Sequence, residues 1–173
     1  MRTRNYEYYV ADFETTVYKG QQFTEVWAAA VVKLGSEDVE VLHSLPEFLS
    51  YIYAKKTNII CYFHNVKFDG NFLLDYLLRN GYTWNRVAEG KMLNKQFKCA
   101  ISDRGPWYSI TVKMHNMVIE FRDSYKLLPF SVKRIGKGFQ TKHRKLDMEY
   151  EGFRYAGCVI TDEEKEYIRN DVL

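Results

Sequence analysis

The segment Asn58–His64 reads Asn-Ile-Ile-Cys-Tyr-Phe-His, almost continuously apolar between its polar ends. A strand that is apolar at successive positions has to be covered on both faces, as in a sheet flanked by helices. Helical spacing lies on either side of it. Leu45–Lys56 carries Pro46, Leu49, Ile52 and Tyr53 behind a Ser44 cap, and Phe68–Arg79 carries Phe72, Leu73, Tyr76 and Leu77 before Asn80-Gly81. Tyr6–Thr15 alternates and ends in polar residues, Glu25–Leu34 is largely apolar, and Glu37–Leu42 completes an antiparallel start around Gly20 and Gly35. Phe97–Ile101, Tyr108–Lys113 and Val118–Asp123 read as further strands, Ser131–Gly138 as a short helix, and Thr161–Leu173 as the last helix. Thr161 and Glu164 form a T-x-x-E capping box at its start, and no stop signal closes its end. The pattern predicts one α/β domain with a mixed central sheet flanked by helices.

Composition removes several classes. At 173 residues with 46% hydrophobic content the chain can build a core, and disorder is excluded. Three cysteines (Cys61, Cys99 and Cys158) make no close pair and give no disulfide framework or zinc knuckle. The charged, tyrosine-rich N-terminus has no apolar stretch of the signal-peptide kind, and Val26–Val32 is too short to span a bilayer. A cytoplasmic protein with no membrane partner is expected. The net charge of +3 is too mild to diagnose a nucleic-acid binder, but Lys133, Arg134, Lys137, Lys142, His143, Arg144 and Lys145 fall within one acid-free run. That run is either a solvated face or a track for phosphates.

Function enters with Asp12 and Glu14. Residues two apart on a strand share a face, so both carboxylates point the same way and repel in a poorly solvated place. A divalent cation would compensate them. Asp69 follows the strand Asn58–His64 near a helix start, where an Asp is by frequency a cap. Asp171 lies on the last helix with Tyr167 four residues earlier on the same face, a spacing that also suits a core tyrosine. Four carboxylates from two strand ends and two helices are enough for two divalent ions about 3.5–4 Å apart, the arrangement that cleaves phosphodiesters.

Three segments carry a resemblance. Val10-Ala11-Asp12-Phe13-Glu14-Thr15-Thr16, the block Tyr62-Phe63-His64-Asn65-Val66-Lys67-Phe68-Asp69-Gly70, and Tyr167-Ile168-Arg169-Asn170-Asp171 resemble the exonuclease motifs of family B DNA polymerases. The form is that of the protein-primed, phi29-like group found in phages and linear plasmids. The resemblance implies a ribonuclease H-like 3′–5′ exonuclease domain with two Mg²⁺ or Mn²⁺ ions. It implies that Asp12, Glu14, Asp69 and Asp171 hold the metals, that Tyr167 orients water, and that Thr15, Asn65, Phe68 and Phe72 hold a single-stranded DNA 3′ end. Aromatic faces such as Phe68 and Phe72 stack on unpaired bases without reading sequence, although both also suit a core. Asp123-Ser124-Tyr125-Lys126-Leu127-Leu128-Pro129-Phe130 resembles a family segment in which Ser or Thr precedes Leu, so Ser124 matches a DNA contact and Tyr125 replaces the leucine. Lys145 matches a lysine that assists at the scissile phosphate, and Tyr150 a DNA-contacting tyrosine.

No Asp-Thr-Asp-Ser-like polymerase motif, G-x-S-x-G elbow or P-loop occurs in the sequence, and Gly136-x-Gly138 does not continue into a dinucleotide fingerprint. The expectation is therefore a monomeric proofreading domain, the N-terminal fragment of a longer polymerase. Its expected partners are single-stranded DNA, the polymerase domain of its parent chain and a terminal protein primer. A free-standing nuclease for RNA or oligonucleotides and a binding module that never cuts remain the alternatives.

Overall fold

Asn58–Phe63 forms β4, buried on both faces and paired in parallel with β1 (Tyr6–Thr15) on one side and β8 (Met117–Asp123) on the other. The computed structural model describes residues 5–86, 91–103, 105–143, 146, 148 and 152–173. Among the described residues the other strands are β2 (Val26–Lys33), β3 (Glu40–Leu42), β5 (Thr83–Trp84), β6 (Gln96–Ile101) and β7 (Trp107–Met114). They complete one mixed sheet in the order β3-β2-β1-β4-β8-β7-β6-β5. The helices are α1 (Leu45–Ala54), α2 (Val66–Arg79), α3 (Val132–Phe139) and α4 (Asp162–Asn170). The mixed α/β fold expected from the sequence is the one observed.

Side-chain parity on β1 decides the geometry that matters. Tyr9, Ala11 and Phe13 belong to the core beneath α1 and α2, with Phe48, Leu49, Leu73 and Leu77. Val10 packs with the opposite core, where Trp27, Ala28 and Ala30 of β2 meet Ile168 of α4 and the following Val172. Asp12 and Glu14 are in phase with Val10, so they leave the sheet on the α4 side. A bulge follows. Glu14 pairs with Ala28 but Thr15 pairs with Val26, which leaves Trp27 as the extra residue of β2 opposite that step. The bulge turns Trp27 and Ala28, adjacent in sequence, into the same core.

Several boundaries differ from the sequence expectation. β2 begins one residue later than expected, and β3 is only three residues long rather than starting at Glu37. α1 stops at Ala54, and Lys56 takes a left-handed φ of 53° that ends the turn before β4. β5 is a two-residue exposed edge, too short to leave a pattern. α2 starts at Val66, two residues before the expected Phe68, which moves Asp69 inside the first turn. α4 ends at Asn170 with Asp171 as its C-cap, short of Leu173; Asp171 keeps right-handed helical angles of −78° and −13°. The capping box between Thr161 and Glu164 forms as expected.

Beside Asp69, α2 lies tight against β7. A Cβ on Gly70 would sit 3.0 Å from Trp107 Cζ3 and 3.1 Å from Ile110 Cδ1. Gly70→Ala is expected to force the Trp107 ring and Ile110 Cδ1 aside by a few tenths of an ångström; the overpacking of about 1–3 kcal/mol, offset by about 1 kcal/mol of helix propensity, should lower the urea midpoint with an unchanged m-value.

Candidate metal and nucleic-acid site

The three parallel strands β1, β4 and β8 end at one edge of the sheet, and their ends carry Glu14-Thr15, His64-Asn65 and Ser124. A crevice outside the carboxyl ends of parallel strands is where open α/β sheets bind ligands. One cleft here is lined by Asp12, Phe13, Glu14, Thr15, Val17, His64, Asn65, Phe68, Asp69, Tyr167 and Asp171. The residues proposed from three separated motifs therefore meet in one place.

Within it, one carboxylate oxygen from each of Asp12, Glu14 and Asp171 lies within 4.8 Å of the others, and all three residues are half-buried. Converging anionic oxygens at that spacing suit a hard divalent cation with oxygen ligands. Asp69 is not part of this triad. It arrives on α2, which packs on the opposite face of the sheet, and its carboxyl meets the backbone N–H of Phe13 in β1. Asp69 is nonetheless almost fully buried, and its Oδ1 has no hydrogen-bond partner. Burial pushes its carboxyl up to about 7, helped by the charges of Glu14 and Asp123 and opposed by backbone N–H groups of Asp69 and Phe13. An orphaned buried oxygen pointing into an acidic cleft is the condition a cation relieves. The donor set fits the divalent metal that the motifs imply.

Asn65 caps α2 with a left-handed φ of 72° and no side-chain cap of its own. Its N–H instead donates to Oδ1 of buried Asp123 at 3.0 Å, and the same oxygen accepts from Tyr125 N–H at 2.9 Å. Asp123 thus joins the ends of β4 and β8. Sequence reasoning gave it no role, although an acid closing an apolar strand at the site edge was the available signal. His64 was likewise passed over. Its Nδ1 lies 3.2 Å from Ser124 Oγ, which donates to Phe63 C=O at 3.1 Å, and Tyr125 meets its ring edge-on at 5.3 Å between centroids. Ser124 and Tyr125 therefore stand behind His64 rather than in the cleft lining.

Phe68 is half exposed at the cleft, whereas Phe72, 5.6 Å behind it between ring centroids, packs against the core. Tyr167 does both things the sequence allowed, lining the cleft and packing on the α4 core. In the basic run, Lys133, Arg134 and Lys137 lie on α3, while Lys142 is paired with Glu37 at 2.8 Å. Lys145, Arg144 and Tyr150 lie outside the described residues.

Residues 51–171 match the family model described as DNA polymerase type B, organellar and viral. The DNA polymerase of Bacillus phage phi29 is 36% identical over 173 residues, a match covering 95% of this chain and 28% of the relative. The chain belongs to the type B DNA polymerases. That of Bacillus phage B103 is 37% identical over 170 residues, covering 93% of the chain and 28% of the relative. This type B polymerase chain thus spans less than a third of those relatives' length. Phi29 DNA polymerase complexed with single-stranded DNA superposes with a TM-score of 0.83 at 34% identity, covering 98% of this chain and 30% of that one. Its complex with primer-template DNA gives 0.85 at 34% identity, covering 97% and 29%. The chain corresponds to the exonuclease region of the phi29-like, protein-primed members, and its fold is theirs.

Proposed function

We propose that this domain is a metal-dependent 3′–5′ exonuclease that removes nucleotides from single-stranded DNA as nucleoside monophosphates, proofreading for a polymerase. The observation that carries the reading is the convergence of Asp12, Glu14, Asp69, Tyr167 and Asp171 on one cleft at the ends of three parallel strands. Asp12, Glu14, Asp171 and Asp69 would hold the divalent metal. Bound Mg²⁺ or Mn²⁺ supplies a water of lowered pKa and neutralises the departing oxygen. Tyr167, one helical turn from Asp171, orients the attacking water. Phe68 offers an exposed face to an unpaired base, and Thr15 and Asn65 hold the terminal nucleotide from either side of the strand ends. Ser124, Tyr125 and Phe72 support that wall from behind, through His64 and Phe68. Lys145 serves the scissile phosphate, where negative charge develops, and Tyr150 a neighbouring nucleotide.

The parent context is a protein-primed polymerase, so the partners are a polymerase domain and a terminal protein, acting in the cytoplasm of a phage-infected host. Among the described residues no helix is long and apolar enough to cross a membrane. Incubation of the chain with 5′-labelled single-stranded DNA and Mn²⁺ should give a ladder shortening from the 3′ end, and EDTA should stop it. Full-length label after exposure to the folded protein and Mn²⁺ would overturn the reading. The α3 cations Lys133, Arg134 and Lys137 are assigned to the phosphate backbone. Neutralising all three should reduce the slope of log affinity against log salt by about 2, since each phosphate contact on a single strand contributes about 0.7.

A further inference from the structure

Arg154, Glu164 and Trp27 form a nearly buried stack for which the exonuclease reading has no use. Glu164 is 4% exposed and Trp27 fully buried. Glu164 Oε2 accepts from Thr161 N–H at 2.8 Å, while Oε1 takes a charge-assisted hydrogen bond from Arg154 Nη2. The Arg154 guanidinium carbon lies 5.6 Å from the Trp27 ring centroid. Burial alone would raise the Glu164 carboxyl, but the Thr161 backbone and Arg154 outweigh it and hold it below its ordinary value.

We propose that Arg154 and Glu164 are positioning residues that set the rotation of α4, and thereby hold Asp171 in register with Asp12 and Glu14 for metal binding. The proposal rests on the reading of those three acids as metal ligands.

α4 has nine residues, too short to hold its own shape in isolation. Its apolar anchors on the sheet, Ile168 and the following Val172, prevent departure but tolerate small rotations. An ion pair with hydrogen-bond geometry tolerates far less. Trp27 is the residue left over by the β1–β2 bulge, directly opposite the step after Glu14. The stack therefore joins the place where Glu14 is set to the N-terminus of the helix whose far end carries Tyr167 and Asp171. A buried ion pair is a poor choice for stability alone, since apolar residues of similar volume do as well or better. Its narrow geometry is what a ligand triad drawn from two elements requires.

The test is Mn²⁺ binding to the chain by electron paramagnetic resonance, run beside KM for single-stranded DNA and the thermal midpoint. Arg154→Met keeps most of the stem and removes the pair. It should raise the Mn²⁺ concentration for half-saturation about tenfold or more, the range for groups supporting metal ligands. KM for DNA should change little, and Arg154→Lys should recover part of the loss. Should Arg154→Met not fold, Glu164→Gln keeps an acceptor for Thr161 N–H, removes the ionic partner, and should show the same shift. A lowered midpoint with wild-type Mn²⁺ affinity would reduce the pair to ordinary packing and overturn the proposal. Failure of the underlying reading looks different: wild-type chain that takes up no Mn²⁺, or Asp171→Ala binding it as tightly as wild type, would remove the metal site itself.

Discussion

The Asp12→Ala/Asp69→Ala variant is expected to lose at least about a thousandfold in Mn²⁺-dependent cleavage of single-stranded DNA while keeping the fold. The two side chains enter the cleft from opposite faces of the sheet, so one variant removes a member of the triad and the buried acid beyond it. Each loss takes away negative charge that a cation needs, and groups that act as one unit fail together rather than additively. The fold should survive because neither side chain is apolar and removing the buried Asp69 carboxyl also removes its desolvation cost, which offsets the lost hydrogen bonds from the backbone of Asp69 and Phe13. Single-turnover cleavage, with circular dichroism as the control for folding, reads the effect. Cleavage within tenfold of wild type would remove both residues from the site.

Asp69→Asn should stabilise the metal-free domain at neutral pH. The folded-state carboxyl titrates near 7 against an ordinary 3.8, so folding favours its protonated form. Below pH 4 the group is protonated in both states and imposes no penalty. As pH rises from about 4 to 7 the unfolded chain ionises freely and the folded chain cannot, so stability falls. Above pH 7 the penalty is complete and reaches up to about 4 kcal/mol. Thermal unfolding in EDTA should therefore place Asp69→Asn above wild type at pH 8, with the gap closing towards pH 4. Mn²⁺ should raise the wild-type midpoint at pH 8 and raise the variant's less, because ligand binding stabilises the state that binds. Equal midpoints at pH 8 in EDTA would show that the Asp69 carboxylate is not desolvated in the folded chain.

Both predictions depend on an asymmetry among the four acids that the sequence did not contain. Their identities were legible: Asp12 and Glu14 from strand parity, Asp69 and Asp171 from the company they keep in their motifs. The motifs give neither the depth at which each acid is buried nor the face of the sheet from which it arrives. The structure divides them into a half-buried triad on the α4 side and one buried acid arriving from the α2 side. Parity fixes which face a β1 side chain leaves from, but only the assignment of α2 and α4 to opposite faces says which helix it meets.

The sequence by itself determined the local elements: the apolar β4, the amphipathic α1 and α2, the Thr161–Glu164 box and the motif residues that mark the family. Each depends on residues within a turn or two of one another, where periodicity and capping chemistry suffice. It misplaced the ends of α1 and α4, where the backbone reaches Lys56 in a left-handed turn and Asp171 at a cap. Tertiary structure alone decided the β1–β2 bulge, the clasp of Asn65 and Tyr125 by Asp123, and the Trp27–Arg154–Glu164 stack. Each joins residues from distant segments: apolar burial across the sheet brings them together, and the polar groups enclosed by it must then find partners. No local pattern encodes that choice, because the partners become neighbours only once the strands have paired.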